Sequence, residues 1–177
     1  DLRSLIGLDG GNTHLGSDLY DTADHRMIVI INGCVIVFIQ HMCIDQLMER
    51  FKIQCSKKVK NYPFLMGQGI WIDSDKLKPE DSVAEVLKHG TLTVGFIGLA
   101  ECLKALIGVH HGESPEAQSL GLEIIGFMRK KMDEESKKTG LNFTLIATPA
   151  EGLSGRFVRI DKAKYGIIEG VTDREYY

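Results

Sequence analysis

Three short segments carry residue types that could do chemistry. Thr148-Pro-Ala-Glu-Gly-Leu-Ser-Gly-Arg156 is a turn rich in small residues that leaves one apolar run and enters a helical pattern. Unbonded N–H groups at such a helix start form a ready anion site, and Arg156 could add a charge. Gly152 is the expected point of positive φ or close backbone approach. The turn matches neither the P-loop nor the dinucleotide fingerprint, so a tight packed connection stands beside the phosphate reading. Gly98-Leu-Ala-Glu-Cys102 sets a carboxylate and a thiol side by side where another β-rich run ends. Glu101 could be a general base and Cys102 a reactive thiol; a glutamate serving the helix dipole and a core cysteine are the alternatives. His110-His-Gly-Glu113 holds three potential metal ligands in four residues. Adjacent histidines rarely reach one ion together, so a surface or capping role is expected and no metal site is assigned.

The elements that must hold these segments follow from periodicity. Met27–Ile31, Asn32-Gly33 and Cys34–Ile39 have the form of a β-hairpin, two β-branched runs around a dipeptide that tolerates positive φ. From Ile39 to Phe51 the apolar residues recur every three or four positions, which predicts an amphipathic helix; the boundary between the two patterns stays open near Val37. Gly67, Gly69 and Ile70-Trp-Ile72 suggest a loop and a short strand. Ser82 and Glu85 have the spacing of a capping box for a helix stopping at Gly90, where His89 would serve the dipole. Thr91–Leu99 reads as a buried strand and 101–107 as a short helix ended by Gly108. Ser114 and Pro115 open a long helix that runs to Gly140. Leu141–Ala147 is a second strand. The order strand, helix, helix, strand, helix predicts an α/β fold, with both strands parallel in one sheet and the long helix across its face.

Composition narrows the function classes. The 177 residues carry 21 basic and 24 acidic side chains, net −3, which offers nothing to attract nucleic acid or an anionic membrane. The run Lys57-Lys-Val-Lys60 is expected to be a solvated face. Met27–Ile39 is too short to span a bilayer, and Asp1 and Arg3 precede no apolar run with a cleavage site. Cys34, Cys43, Cys55 and Cys102 form no C-x-x-C pair, so a reduced, cytoplasmic setting is expected.

Six longer stretches carry a resemblance: Cys43-Ile-Asp-Gln-Leu-Met-Glu-Arg-Phe, Lys58-Val-Lys-Asn-Tyr-Pro-Phe-Leu-Met-Gly-Gln, Leu87-Lys-His-Gly-Thr-Leu-Thr-Val-Gly-Phe-Ile-Gly-Leu-Ala-Glu-Cys, His110-His-Gly-Glu-Ser, Asn142 through Phe157, and Gly170-Val-Thr-Asp-Arg-Glu-Tyr-Tyr. Together they resemble the catalytic subunit of anaerobic, class III glycyl-radical ribonucleoside-triphosphate reductases, from about Met42 to Tyr177. The resemblance implies a partial α/β barrel over 42–177, preceded by a divergent segment 1–41 in which Gly11-Asn12 alone is similar to the family's Arg-Gly-Asn-Leu-Ser strand. It implies ribonucleoside triphosphate as substrate, with Thr148, Pro149, Ala150, Glu151, Gly152, Leu153 and Ser154 cradling its phosphates and Glu101 as an active-site carboxylate. It further implies a glycyl radical made by an S-adenosylmethionine iron–sulfur activating enzyme, and a zinc site in parts of the family's sequence not found here. The expectation is therefore an internal fragment, inactive alone, that binds no cofactor itself and self-associates through exposed strand edges. A non-catalytic phosphate-binding module and a structural relict are the alternatives, separated by whether nucleotide affinity depends on the 148–154 turn.

Overall fold

The computed structural model describes the backbone of residues 19–148 and 150–177, and the side chains of residue 36 and of residue 38 onward apart from 149 and 151. The elements in chain order are α1 (Leu19–Cys55), α2 (Pro63–Gly67), α3 (Ala84–Leu87), β1 (Thr91–Phe96), α4 (Leu99–Ile107), α5 (Pro115–Thr139), β2 (Asn142–Ala147) and α6 (Glu151–Tyr165). Single turns of 3₁₀ helix lie at Val59–Asn61 and Ser74–Lys76. The chain packs as two compact units. One holds Gln40–Gly95 and Gly126–Ile146, and the other holds Phe96–Ile125 and Ala147–Tyr177 with the earlier part of α1.

The predicted hairpin over 27–39 is not formed, because α1 runs without interruption from Leu19 to Cys55. An apolar run with no clear period fits a buried strand and a helix equally. The turn signal at Asn32-Gly33 is local, and one glycine inside a helix costs only about 1 kcal/mol. No proline stands between Leu19 and Cys55, so nothing obliges the helix seeded by the amphipathic 39–51 pattern to stop. The expected likeness at Gly11-Asn12 lies outside the described residues.

In the first unit, Ile44 of α1, Val94 of β1, Met132 of α5 and Phe143 of β2 are buried together, with Cys43, Leu47, Leu92 and Leu145 around them. Each side chain of this kind contributes about 2 kcal/mol by leaving water. The long helix thus packs on the two strands, as the crossover rule predicts. The strands pair in one two-stranded sheet. They run parallel, since Asn142 at the start of β2 donates to Thr91 Oγ1 at 2.7 Å, while Thr148 N–H, just past its end, donates to Phe96 O at 3.1 Å. The same unit holds a second cluster of Met66, Val83 and Val86, with Trp71 and Tyr62 against it.

Three local expectations in this unit are corrected. Ile70-Trp-Ile72 is no strand: Gly69 turns the chain at φ +64°, Trp71 joins the cluster, and Ile70 and Ile72 are exposed with no partner strand. Ser82 and Glu85 do not form a capping box. The Ser82 hydroxyl accepts the Ala84 N–H at 3.1 Å, but Glu85 pairs with Lys88 and the helix is one turn long, ending at Leu87 instead of Gly90. His89 is held by Asp73, its Nε2 3.2 Å from the carboxylate, and this contact accounts for it better than a helix dipole. Lys58 and Lys60 are exposed as expected, and both reach Glu80 at 2.7 Å.

Candidate functional site

The second unit contains both strand-to-helix exits, and each was singled out by sequence. β1 leaves through Gly98, which sits in the left-handed region at φ +77° and starts α4. Glu101 falls in the first turn, where a negative side chain suits the helix dipole. Its side chain is only 9% exposed, and Oε1 accepts a hydrogen bond from Arg174 Nη1 at 2.6 Å. Cys102 beside it is half-buried, and burial pushes its thiol above the ordinary range, away from the thiolate a nucleophile needs. α4 ends at Gly108, left-handed at φ +79°, as predicted.

Arg174 comes from the terminal segment, which folds back over α4 and α6. Thr172 Oγ1 accepts the Ile168 N–H at 2.8 Å and donates to Gly166 O at 2.7 Å. Asp173 accepts the Gly170 N–H at 3.0 Å, and that bond holds its carboxyl below the usual range. The Tyr177 hydroxyl donates to Asp161 of α6 at 2.6 Å; burial, then this carboxylate, raise the phenol above its ordinary value. Two glycines admit the segment. A Cβ on Gly170 would lie 3.3 Å from the Lys104 side chain, and one on Gly155 would lie 3.3 Å from Glu175 O.

Between α4 and this segment is a cleft of about 630 Å³, lined by Glu101, Lys104, His110, Glu113, Asp173 and Arg174 among others. The His110–Glu113 turn forms part of its wall and behaves as the capping reading expected. Glu113 accepts the His110 N–H at 2.8 Å and the Lys104 ammonium at 2.9 Å, contacts that hold its carboxyl below the usual range. His110 Nδ1 accepts the Gly112 N–H at 3.0 Å. Ser114 caps α5 by accepting the Ala117 N–H at 3.1 Å. Among the described residues no three His, Cys, Asp or Glu side chains are grouped so as to hold a metal.

β2 leaves through Thr148 and enters α6 at Glu151. The left-handed residue here is Ala150, at φ +42°, and Gly152 has no positive φ. The expectation that Gly152 supplies the special backbone conformation is corrected accordingly. A Cβ built on Gly152 meets nothing within 4 Å. Leu153 and Ser154 N–H both donate to Ala150 O at 2.8 Å, and Ser154 is buried. Alanine offers no side-chain cap, so the earliest N–H groups of α6 lack one. Pro149 lies outside the described residues. Of the expected cradle, Thr148 N–H bonds Phe96 O, and Leu153 and Ser154 N–H bond Ala150 O. Glu101 and the Thr148–Ser154 turn leave the same carboxyl edge of the sheet, where α/β proteins place ligands. They do not share the cleft, whose lining includes none of 148–154.

A family model for anaerobic ribonucleoside-triphosphate reductase matches residues 39–177. The chain belongs to this family. Similar proteins that bear the family's name include one from Salmonella typhimurium, 38% identical over 58% of this chain and 15% of its own length. Another, from Haemophilus influenzae, is 31% identical over 90% of this chain and 21% of its own. A third, from enterobacteria phage T4, is 33% identical over 77% of this chain and 21% of its own. The chain therefore spans about a fifth or less of the length of these relatives. No helix among the described residues is long and apolar enough to cross a membrane. The residues that sequence reasoning passed over are Arg174, Asp161 and Tyr177. For Arg174 and Tyr177 the signal was present in Gly170–Tyr177, quoted for the resemblance but given no task there; Asp161 had none.

Proposed function

We propose that this chain contributes part of the substrate-binding wall of an anaerobic ribonucleoside-triphosphate reductase, with β1 and β2 as two staves of the family's α/β barrel and 42–177 as its barrel portion. In this reading the substrate is a ribonucleoside triphosphate in the cytoplasm. Its phosphates meet the start of α6 within Thr148–Ser154, and Glu101 is the carboxylate that accepts a ribose hydroxyl. The family's glycyl radical, made by an activating enzyme, would supply a cysteine thiyl that takes the hydrogen from the ribose, and the radical-cysteine loop and the zinc would belong to parts of the family's sequence not found here. The residues here bind and orient.

The observation that carries the reading is the start of α6. A fifteen-residue helix begins at the carboxyl end of a parallel strand with an alanine N-cap and open space over Gly152. Its first N–H groups and its dipole favour an anion. Titration of the chain with inorganic tripolyphosphate should shift the amide resonances of Glu151 and Gly152 first. Gly152→Val, at a position where a Cβ meets nothing within 4 Å, should weaken binding by about tenfold, the loss expected when one hydrogen bond to a charged group is blocked. Shifts confined to other residues would remove the phosphate role from this turn. The non-catalytic phosphate-binding reading shares this site, so the tripolyphosphate result supports both, and ribose recognition separates them.

A further inference from the structure

Glu101 is a buried carboxylate whose hydrogen-bond partner, among the described residues, is Arg174, seventy-three positions away in sequence. The guanidinium is not delivered by a free side chain on α4. Its own residue is fixed to α6, since Lys162 Nζ donates to Arg174 O at 3.4 Å. The next residue, Glu175, lies against Gly155 of α6, and Tyr177 is hydrogen-bonded to Asp161 of α6. Asp173 sits 3.7 Å from Arg174 Nε on the other side. The carboxylate at the start of α4 is thus held by a group anchored along α6, the helix whose start is the proposed phosphate site. A long arginine with one face exposed at the cleft would sample several rotamers if unanchored, whereas the contacts on both sides restrict it.

We infer that Arg174 is a positioning residue: through its bond to Oε1 it fixes the orientation of Glu101 relative to α6, so that a nucleotide held by its phosphates at α6 meets the other carboxylate oxygen with its ribose. The inference rests on the reading above, in which α6 takes the phosphates and Glu101 a ribose hydroxyl. An ion pair serving stability alone would raise or lower every ligand's affinity together. A positioning role acts on the ribose hydroxyl and spares the phosphates.

The experiment is calorimetric titration of the full 177-residue chain with inorganic tripolyphosphate, CTP and dCTP. The wild type should bind tripolyphosphate and prefer CTP to dCTP. Arg174→Gln should keep tripolyphosphate affinity and lose about tenfold of the CTP preference, the value of one hydrogen bond to a charged group. Glu101→Gln should do the same, and the double variant should lose no more than either, as expected of two residues acting as one unit. Arg174→Lys keeps a cation without the flat fork and should fall between. It also serves where Arg174→Gln fails to fold, because the carboxylate is not left alone. Unchanged CTP preference in both Arg174 variants would overturn the inference. So would a proportional loss for all three ligands, or a wild type that binds CTP and dCTP equally; this last result leaves the phosphate site standing. A wild type that does not bind tripolyphosphate removes the phosphate reading and this inference with it.

Discussion

The two strand-to-helix exits of the second unit start from the same problem and reach opposite states. Each helix begins with N–H groups that no intrahelical carbonyl can accept, and each is entered through a left-handed residue. At the start of α4 that residue is Gly98, with the Tyr177 ring 3.7 Å from where a Cβ would stand, and the first turn carries Glu101 locked to Arg174. The chain has closed this exit on itself. At the start of α6 the left-handed residue is Ala150, there is no side-chain cap, and Gly152 faces open space. The terminal segment reaches α6 at Gly155, Asp161 and Lys162. The first exit therefore holds a carboxylate by a cation from the terminal segment, and the second is entered without a side-chain cap.

This comparison is broken most forcefully at Arg174. Arg174→Gln leaves a buried carboxylate without its cation, and the loss should be roughly 3 kcal/mol, somewhat less where water reaches the cleft. Urea denaturation at pH 7 measures it. A change below about 0.5 kcal/mol, the size of an ordinary surface pair, would mean that the first exit is not closed in the sense argued.

The left-handed residues sharpen it with opposite signs. Gly98→Ala forces a side chain into a conformation that costs roughly 1–2 kcal/mol for L-residues, so stability should fall by about that much. Ala150→Gly relieves the same strain, partly offset by the larger entropy of glycine in the unfolded chain, and should raise stability by about 0.5 kcal/mol. Thermal melts of both variants against the wild type decide the matter. Equal signs would show that the φ of +42° at Ala150 is no strain at all.

How much of this was legible in the sequence depends on the range of the signal. Ser114-Pro115, Gly108 and Gly140 were readable because caps act within a turn. The parallel pair β1–β2 was readable because two β-rich runs separated by helices leave few topologies. Glu101 at a helix start and the turn before α6 were readable for the same local reasons. The hairpin over 27–39 misled because its strongest cue, Asn32-Gly33, was also local, while the choice of helix is made by α1 as a whole. His89 with Asp73 and Glu101 with Arg174 were not legible, since contacts 16 and 73 residues apart leave no spacing to read. The left-handed position at Ala150 was hidden by composition: glycine two residues later drew the expectation to itself.

The smallest effect expected concerns acid. At the closed exit the terminal segment is stapled by Asp173, whose carboxylate accepts the Gly170 N–H; the bond favours the charged form and lowers its pKa. A carboxyl lowered on folding contributes stability that is present above the ordinary aspartate value of about 3.9 and is lost as pH falls through the folded value below it. Arg174 lies beside Asp173, so this cation adds to the Gly170 bond in opposing protonation and keeps the loss at the low end of the range. Hydrogen exchange corrected for intrinsic rates should therefore show Gly170 protection steady from pH 7 to about 4 and falling only below that. Leu153 and Ser154, whose amides bond the Ala150 carbonyl, should keep their protection through the same interval while the fold persists. Loss at both exits together would mean global acid unfolding in place of a local release. Loss at Leu153 and Ser154 first would reverse the assignment of which exit the chain holds shut.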